Sequence, residues 1–264
     1  MTPILMLGAG RMGGAMITGW LRAGAVAASD LIIRDPFPGE AVADWVSAGA
    51  KLNPTDQLLA QAQTVVLAVK PQTWRDCAAE VSHALAPDAV IISIAAGVAC
   101  ADISAAFAGR SVARVMPTTA AAIGRGVASI YAPDLKARTR ARDLFAPLGT
   151  VVGLDDEAMM HAATGTSGSA PAYFYALVEA LQAAGVSAGL PEAAARDLAR
   201  ATMIGAAALM ADSGEDPAEL RRQVTSPNGT TEAALKVLMG PGGLPPLLRA
   251  AVSAAARRSE ELAG

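Results

Sequence analysis

Residues 4–13 read Ile-Leu-Met-Leu-Gly-Ala-Gly-Arg-Met-Gly, and this stretch decides the fold. Its apolar start predicts a buried first strand, and a helical pattern follows it. The three glycines have the spacing of a dinucleotide-binding turn: the first permits the turn, the second admits a pyrophosphate, and the third lets helix and strand pack closely. A tight strand–helix turn without a ligand is the alternative. We predict that the dinucleotide contacts Gly8, Ala9, Gly10, Arg11 and Met12.

Short β-branched runs alternate with helical patterns through the first half of the chain. The predicted strands are residues 4–7, 31–33, 64–69, 90–94, 112–116 and 127–131. This rhythm favours βαβ units and a sheet covered by helices on both faces. We therefore predict an α/β Rossmann domain, doubly wound on a mostly parallel sheet, over residues 1–153.

The second half of the chain is rich in Ala, Leu and Met at helical spacing. The predicted helices are residues 155–163, 172–186, 191–212, 217–224, 231–239 and 247–262. Their charge is low, and residues 193–211 are apolar on more than one face, which favours burial against a second copy of the chain. We predict an all-helical dimerisation domain over residues 154–264 and a homo-oligomer that is at least a dimer.

Composition excludes several classes of function. The net charge of −3 over 264 residues, with no basic face, gives no electrostatic reason to bind nucleic acid. Cys77 and Cys100 lack metal-ligand or redox spacing, so we expect no metal and a reducing, cytoplasmic environment. Residues 89–101, the longest charge-free apolar run of the first half, fall short of the ~20 residues of a membrane span. We expect no membrane partner.

Two residues at the end of the second strand bear on the choice of cofactor. Asp35 stands about where a carboxylate bonds the ribose 2′-hydroxyl of NAD, whereas the fork-shaped guanidinium of Arg34 suits the 2′-phosphate of NADP. The alternative is a solvated pair of charges at a strand end. We predict NADPH as the cofactor, with NADH possible.

Two further strand ends belong to the edge where open α/β sheets bind ligands. One strand runs into Lys70-Pro71 and the next into Ala95-Ala96-Gly97. Lys70 could equally be a solvated cation at a strand end. We expect both segments to lie beside the cofactor.

A hydroxyl-rich turn stands out in the helical half. Residues 224–231 read Val-Thr-Ser-Pro-Asn-Gly-Thr-Thr and run into a predicted helix. Free backbone N–H groups and hydroxyls at a helix N-terminus form a ready site for a carboxylate. A capping turn without a ligand explains the same residues, since Ser and Thr are ordinary caps, and the residues alone leave both interpretations open.

Taken together, these motifs resemble the Δ1-pyrroline-5-carboxylate reductase family. The blocks that match, in order, are residues 8–13, 68–72, 93–98, 114–117, 167–173 and 224–231. The resemblance spans nearly the whole chain, and its most specific block is the hydroxyl-rich turn. It implies NAD(P)H-dependent reduction of the cyclic imine 1-pyrroline-5-carboxylate to L-proline, with the cofactor on the first domain and the small-molecule substrate at a helical dimer interface.

The resemblance also implies roles for particular residues. It adds further cofactor contacts at Ala68, Val69, Lys70, Pro71, Ala95, Ala96 and Gly97, and it brings Glu157 and Gln223 toward the nicotinamide. It implies that the substrate carboxylate binds Ser226, Gly229 and Thr230. The hydroxyl of Thr231 would face the ring nitrogen, as a proton relay or as an orienting hydrogen bond.

The chain departs from the family pattern at three places. The family usually has Asn-Thr-Pro where this chain has Thr118-Thr119-Ala120, Gly where Ala170 stands, and often an acidic or amide residue where Met239 stands. The first departure affects a loop expected near the cofactor. None of them removes a group that the chemistry needs.

Two other classes of protein share this architecture. A β-hydroxyacid dehydrogenase, or a related imine reductase, has the same order of domains. The dehydrogenases rely on a lysine early in the second domain, and the only lysine after residue 136 here is Lys236, beyond the hydroxyl-rich turn. The other alternative is a dinucleotide-binding regulatory protein without catalysis.

Overall fold

The structure is a computed structural model and describes residues 1–262. The last two residues of the predicted helical domain lie outside the described residues. The chain forms two compact units. One comprises Met1–Gly168 together with the chain from Ala254 onward, and the other comprises Ser169–Ser253.

The first unit is built on one sheet, which has eight strands within the described residues. They are β1 (Ile4–Leu7), β2 (Leu31–Arg34), β3 (Lys51–Leu52), β4 (Thr64–Leu67), β5 (Val90–Ser93), β6 (Val112–Pro117), β7 (Gly126–Tyr131) and β8 (Gly149–Gly153). Their order is β3-β2-β1-β4-β5-β6-β7-β8, and all neighbours are parallel except β6 and β7. The expected doubly wound, mostly parallel sheet is confirmed.

Helices cover both faces of this sheet. They are α1 (Arg11–Arg22), α2 (Ala41–Ser47), α3 (Asp56–Leu59), α4 (Trp74–Val81), α5 (Cys100–Ala106), α6 (Leu135–Phe145) and α7 (Met159–Ala163). Alternate strand residues pack on opposite faces, because successive side chains point to opposite sides of a strand. Ile4 and Met6 join one core with α1, α2 and α6, while Leu5 and Leu7 join a second core with α4 and α5.

The strand bounds differ from the sequence expectation in places. Strand β4 ends at Leu67 rather than at residue 69, because the chain turns there beside the glycine loop. Strands β3 and β8 are absent from the sequence prediction. Lys51 is exposed, and β8 is a short, half-exposed run between two glycines, so neither has the apolar pattern of a buried strand.

The second unit is helical. Its helices are α8 (Ala170–Ser187), α9 (Glu192–Ser213), α10 (Pro217–Gln223), α11 (Thr230–Leu238) and the first part of α12 (Leu244–Glu261), and α8 packs against α9. One π-helical turn, Thr164–Gly168, precedes α8. In the described residues, no helix has both the length and the apolar character needed to span a bilayer.

The compact units divide the chain later than the predicted boundary between residues 153 and 154. The segment after β8 stays with the sheet because Glu157 binds Arg114 and Met160 is buried. The end of α12 also belongs to the first unit, where Nδ1 of His161 lies 3.0 Å from Oγ of the buried Ser259.

Candidate functional site

The glycine loop after β1 has little room for side chains at two of its glycines. Gly8 has a φ of +90°, and a Cβ there would lie 2.9 Å from the carbonyl oxygen of Ala68. A Cβ on Gly13 would lie 2.3 Å from the carbonyl oxygen of Gly8. The N–H of Gly8 donates to the carbonyl of Arg34 over 2.9 Å. These contacts hold the loop tightly between β1, β2 and the start of α1.

Gly10 differs from Gly8 and Gly13 because a side chain there would point into open space. A Cβ built there meets no heavy atom within 4 Å. Gly10 is the N-cap of α1, and no side chain caps that helix. The first N–H groups of a helix have no intrahelical partner and carry a positive partial charge. The open face of Gly10 beside these groups fits the pyrophosphate of a dinucleotide.

Asp35 fixes this loop through the backbone. Its Oδ2 accepts the N–H of Ala9 over 2.7 Å, and its Oδ1 accepts the N–H of Phe37 over 2.8 Å. The side chain of Asn53 exchanges two hydrogen bonds of 2.9 Å with the Asp35 backbone. Asp35 therefore positions the glycine loop, a role that sequence reasoning missed. Its contact with a ribose stays a prediction.

Arg34 projects toward α4 and is partly exposed. Its Nη2 lies 3.5 Å from Oε2 of Glu80, and the two side chains are 33% and 61% exposed. Arg34 is the last residue of β2, and its backbone carbonyl anchors the glycine loop by accepting the N–H of Gly8. Sequence reasoning missed Glu80, because only the fold brings α4 to the end of β2.

The two other predicted loops lie at the same edge of the sheet. The carbonyl of Lys70 accepts both the N–H and the hydroxyl of Thr73, and this turn leads into α4. The Lys70 side chain is exposed. In the loop after β5, the N–H of Ala95 donates to Oγ of Ser93, and Gly97 has a φ of +79°. The carboxyl ends of the parallel strands β1, β2, β4 and β5 thus bring the predicted cofactor segments, residues 8–12, 34–35, 68–71 and 95–97, to one edge of the sheet.

Glu157 connects three elements of the first unit. Its Oε1 accepts the N–H of Cys100, the first residue of α5, over 2.7 Å, and Nη1 of Arg114 over 2.8 Å. Arg114 is buried on β6, and its Nε has no hydrogen-bond partner. An arginine inside an apolar strand was the sequence signal for this ion pair. The approach of Glu157 to the nicotinamide stays a prediction.

The same surroundings affect two thiols. Burial, followed by the negative charge of Glu157, raises the pKa of Cys100 to about 12. Burial, followed by the carboxylate of Glu80, raises the pKa of Cys77, while Arg34 acts in the opposite direction. Both cysteines therefore favour the protonated, unreactive form.

In the second unit, the hydroxyl-rich turn (residues 224–231) forms the start of α11. Gly229 is the N-cap, without a capping side chain, and a Cβ there would lie 2.5 Å from Oγ of Ser226. Thr230 and Thr231 are the first two residues of the helix. The structure thus brings the four predicted substrate residues together beside uncapped helix N–H groups. The N–H of Asn228 is already bound by Glu232.

Gln223 ends the helix before this turn. Its Nε2 donates to Oε2 of Glu215 over 2.6 Å and to Oε1 of Glu219 over 3.3 Å. The amide is thus held by two carboxylates of its own unit. Its approach to the nicotinamide stays a prediction.

Three residues that depart from the family pattern have identifiable positions and contacts in the structure. Thr118 is buried, and its Oγ1 accepts the N–H of Val127 over 3.0 Å, which closes the β6–β7 hairpin. Ala170 is buried at the first turn of α8. Met239 caps the end of α11, where its sulfur accepts a long contact from Arg221. Each residue thus has a packing or capping role.

The arrangement of the first unit defines a class of protein. The open glycine turn, the uncapped start of α1 and Arg34 lie at the carboxyl edge of the sheet, where the strand order reverses between β1 and β4. Open α/β sheets bind dinucleotides at this point. No group of three or more potential metal ligands occurs among residues 1–262. The fold and the site are those of a dinucleotide-binding protein with a Rossmann domain.

The comparison with known sequences gives the family. A pyrroline-5-carboxylate reductase from Pseudomonas aeruginosa is 40% identical over 271 residues, covering 98% of this chain and 96% of that protein. The chain belongs to the pyrroline-5-carboxylate reductase family. The reductase from Pisum sativum is 35% identical over 97% of this chain and 94% of that protein.

Family models and solved structures agree with this assignment. Residues 157–262 match the family model described as "Pyrroline-5-carboxylate reductase dimerisation". Residues 3–97 match a second family model, described as "NADP oxidoreductase coenzyme F420-dependent". The reductase structure from Coxiella burnetii superimposes with a TM-score of 0.90 at 28% identity, covering 100% of this chain and 99% of that chain. The Plasmodium falciparum pyrroline carboxylate reductase, solved with NADP bound, shares the fold at a TM-score of 0.85 and 23% identity, covering 100% and 98%.

Proposed function

We propose that this chain reduces 1-pyrroline-5-carboxylate to L-proline and uses NADPH in preference to NADH. The single observation that carries the reaction is the 40% identity to a pyrroline-5-carboxylate reductase over nearly the whole chain. The preference for NADPH is supported by Arg34, which ends β2 and whose backbone carbonyl bonds the first glycine of the loop. An arginine at this position accommodates a 2′-phosphate.

The first unit binds and orients the cofactor. The open face of Gly10 and the uncapped N–H groups of α1 would hold the pyrophosphate, and the loops at residues 68–71 and 95–97 would line the rest of the dinucleotide. When bound, the reduced nicotinamide supplies the hydride for the imine carbon. The protein must hold the two reacting carbons about 3–3.5 Å apart. The tight packing around Gly8 and Gly13 keeps the loop in one conformation for this purpose.

The hydroxyl-rich turn binds the substrate. The N–H groups at the start of α11, with Ser226, Gly229 and Thr230, hold the carboxylate, because a helix N-terminus favours an anion. Glu232 lies near this point, but its carboxylate is engaged by the Asn228 N–H and by Lys236, whose Nζ lies 3.2 Å away. Its negative charge is therefore offset.

Thr231 acts at the ring nitrogen. Hydride transfer requires the imine to be protonated or hydrogen-bonded, so a hydroxyl is sufficient and no strong general base is needed. As the second residue of α11, Thr231 stands next to the carboxylate site. Its hydroxyl thus donates to, or orients, the nitrogen while its neighbours hold the carboxylate.

A second copy of the chain covers the helical unit. Helices α8 and α9 expose large apolar side chains, including Phe174, Tyr175, Leu198 and Ile204. Exposed apolar surface of this kind marks a protein interface. The match of residues 157–262 to the family's dimerisation model supports a homodimer.

One assay tests the proposed reaction. NADPH and NADH oxidation is followed with 1-pyrroline-5-carboxylate and with a six-membered cyclic imine, and the reduction of NADP+ and NAD+ is followed with β-hydroxyacids. We expect the highest kcat/KM with 1-pyrroline-5-carboxylate and NADPH. Turnover of β-hydroxyacids alone would indicate the dehydrogenase class, and dinucleotide binding without turnover would indicate a regulatory protein.

A further inference from the structure

The guanidinium of Arg34 lies in an acidic neighbourhood. Besides Glu80, whose Oε2 is 3.5 Å away, Asp35 follows it in sequence, and Asp76 lies one turn before Glu80 on α4. Residues three or four apart lie on the same face of a helix, so Asp76, Cys77 and Glu80 share one face. Burial is the largest cause of the raised pKa of Cys77, and beside it the carboxylates of Glu80, Asp76 and Asp35 raise the pKa while Arg34 lowers it. The nearest carboxylate to Arg34 is Glu80.

The ion pair between Arg34 and Glu80 can be broken at little cost. Both side chains are partly exposed, and pairs of this kind contribute little to stability because solvent screens them. A phosphate monoester carries about −1.5 to −2 charges at neutral pH and accepts the guanidinium in a two-pronged geometry. A 2′-phosphate that binds Arg34 would compete with Glu80 for the guanidinium. Because Glu80 lies 3.5 Å from Arg34, its carboxylate would also repel a phosphate bound there.

We propose that Glu80 is a specificity-determining residue, which competes with the 2′-phosphate for Arg34 and so keeps the preference for NADPH below the level that Arg34 alone would give. This inference rests on the proposed role of Arg34 in binding NADPH. It assigns to a residue on α4 a function in the choice between the two cofactors. Glu80 needs no contact with the nicotinamide or the substrate for this role.

The test measures binding of the adenosine end of the cofactor, without catalysis. Adenosine 2′,5′-bisphosphate is titrated calorimetrically into wild type and into Glu80→Gln, and 5′-AMP, which lacks the 2′-phosphate, is the control ligand. Asp76→Asn is the matched control variant, because it removes a charge from the same helix, and among the ion pairs of the described chain none joins Arg34 to Asp76. The thermal unfolding of each variant is measured to verify that it is folded.

We expect Glu80→Gln to lower the Kd of the bisphosphate by about threefold to tenfold, which is the range expected for removal of one exposed charge near a phosphate. The Kd of 5′-AMP should change less than about twofold, and Asp76→Asn should have a smaller effect on both ligands. The gain in bisphosphate affinity should be smaller at high salt, because salt screens the interactions between surface charges. In steady-state kinetics, Glu80→Gln should raise the ratio of kcat/KM for NADPH to that for NADH.

The double variant separates this inference from the proposed function. If Glu80 acts through Arg34, the gain from Glu80→Gln disappears in the Arg34→Ala background. An unchanged bisphosphate Kd in Glu80→Gln would overturn the role of Glu80. A gain in affinity that persists in the Arg34→Ala background would overturn it as well. In either case the binding of NADPH by Arg34 still stands. If Arg34→Ala alone leaves the bisphosphate Kd unchanged, both the role of Glu80 and the NADPH preference fail. Reduction of 1-pyrroline-5-carboxylate is measured independently of either.

Discussion

The Nη1 of Arg114 donates to the Oε1 of Glu157 over 2.8 Å, although the two residues are 43 positions apart in sequence. Arg114 is buried on β6, with 5% of its side chain exposed, and Glu157 is 28% exposed. The same Oε1 accepts the N–H of Cys100 at the start of α5, directly after the loop that carries Ala95, Ala96 and Gly97. Glu157 therefore links the start of α5, which follows the loop of residues 95–97, to strand β6 of the sheet.

Removing this carboxylate should destabilise the protein. Glu157→Ala leaves a buried guanidinium without a counter-charge and α5 without its acceptor. Breaking such a pair costs up to several kcal/mol, and partial exposure of Glu157 reduces the cost to about 2 kcal/mol. We expect the Tm to fall by about 5 °C. Glu261→Ala, which breaks the exposed Arg258–Glu261 pair, is the control and should have a much smaller effect. Equal Tm shifts in the two variants would contradict this account.

The three-glycine turn offers a matched pair of substitutions. Gly10→Ala adds a methyl group in open space at a φ of −67°, which alanine adopts readily, so the Tm should not change. The methyl group would occupy the place proposed for the pyrophosphate, so the Kd of NADPH, measured by nicotinamide fluorescence, should rise about tenfold or more. Gly13→Ala forces a Cβ against the Gly8 carbonyl and should lower the Tm. Unchanged NADPH binding in Gly10→Ala would mean that the pyrophosphate lies elsewhere.

The two thiols should differ in reactivity. With a pKa of about 12, Cys100 has about one thiolate in ten thousand molecules at pH 8, and the thiol is buried. Iodoacetamide at pH 8 should therefore modify the half-buried Cys77 before Cys100, as followed by peptide mass spectrometry. In urea both should react at similar rates. Folding raises the pKa of the Cys100 thiol, so the protonated thiol contributes to the free energy of unfolding. This contribution is fully present below pH ~8.5 and declines as the pH rises toward 12. Faster labelling of Cys100 in the folded protein would refute the predicted order.

The apolar surface of the helical unit should be required for dimerisation. Ile204 on α9 is 68% exposed, and Ile204→Glu places a charge in the proposed interface. Light scattering across a dilution series should show a dimer for wild type and a monomer for this variant. Leu135→Glu is the control, because Leu135 is 77% exposed on α6 of the first unit. A wild-type protein that is monomeric and active at every concentration would exclude the interface.

The sequence predicted the central strands because they are short, buried and β-branched. Val90–Ser93 and Val112–Pro117 lie within one or two residues of their predicted bounds. The antiparallel pairing of β6 and β7 depends on the hairpin that Thr118 closes, and no local pattern encodes it. The edge strand Lys51–Leu52 is too short for its periodicity to be recognised.

The site was predictable where its residues are contiguous. The glycine loop and the hydroxyl-rich turn each present backbone N–H groups from one short segment, so their spacing alone indicates their chemistry. The pairs Arg114–Glu157 and Arg34–Glu80 join residues from different elements, and only the fold brings them together. Sequence reasoning therefore identified the candidate ligand-binding segments, whose roles stay predictions, and missed the contacts that join different elements.

The most direct test of the proposed reaction is kcat for Thr231→Ala under conditions where hydride transfer limits the rate, as established with deuterated NADPH. A hydroxyl that acts on the imine nitrogen strengthens its hydrogen bond in the transition state, so kcat should fall about 100-fold if Thr231 relays the proton, and less if it only orients the ring. Thr231→Ser, which keeps the hydroxyl, should recover most of the rate, and Ser226→Ala should instead raise KM for the substrate. If Thr231→Ala keeps the kcat of the wild type, Thr231 does not act on the imine, and solvent or the substrate itself supplies the proton.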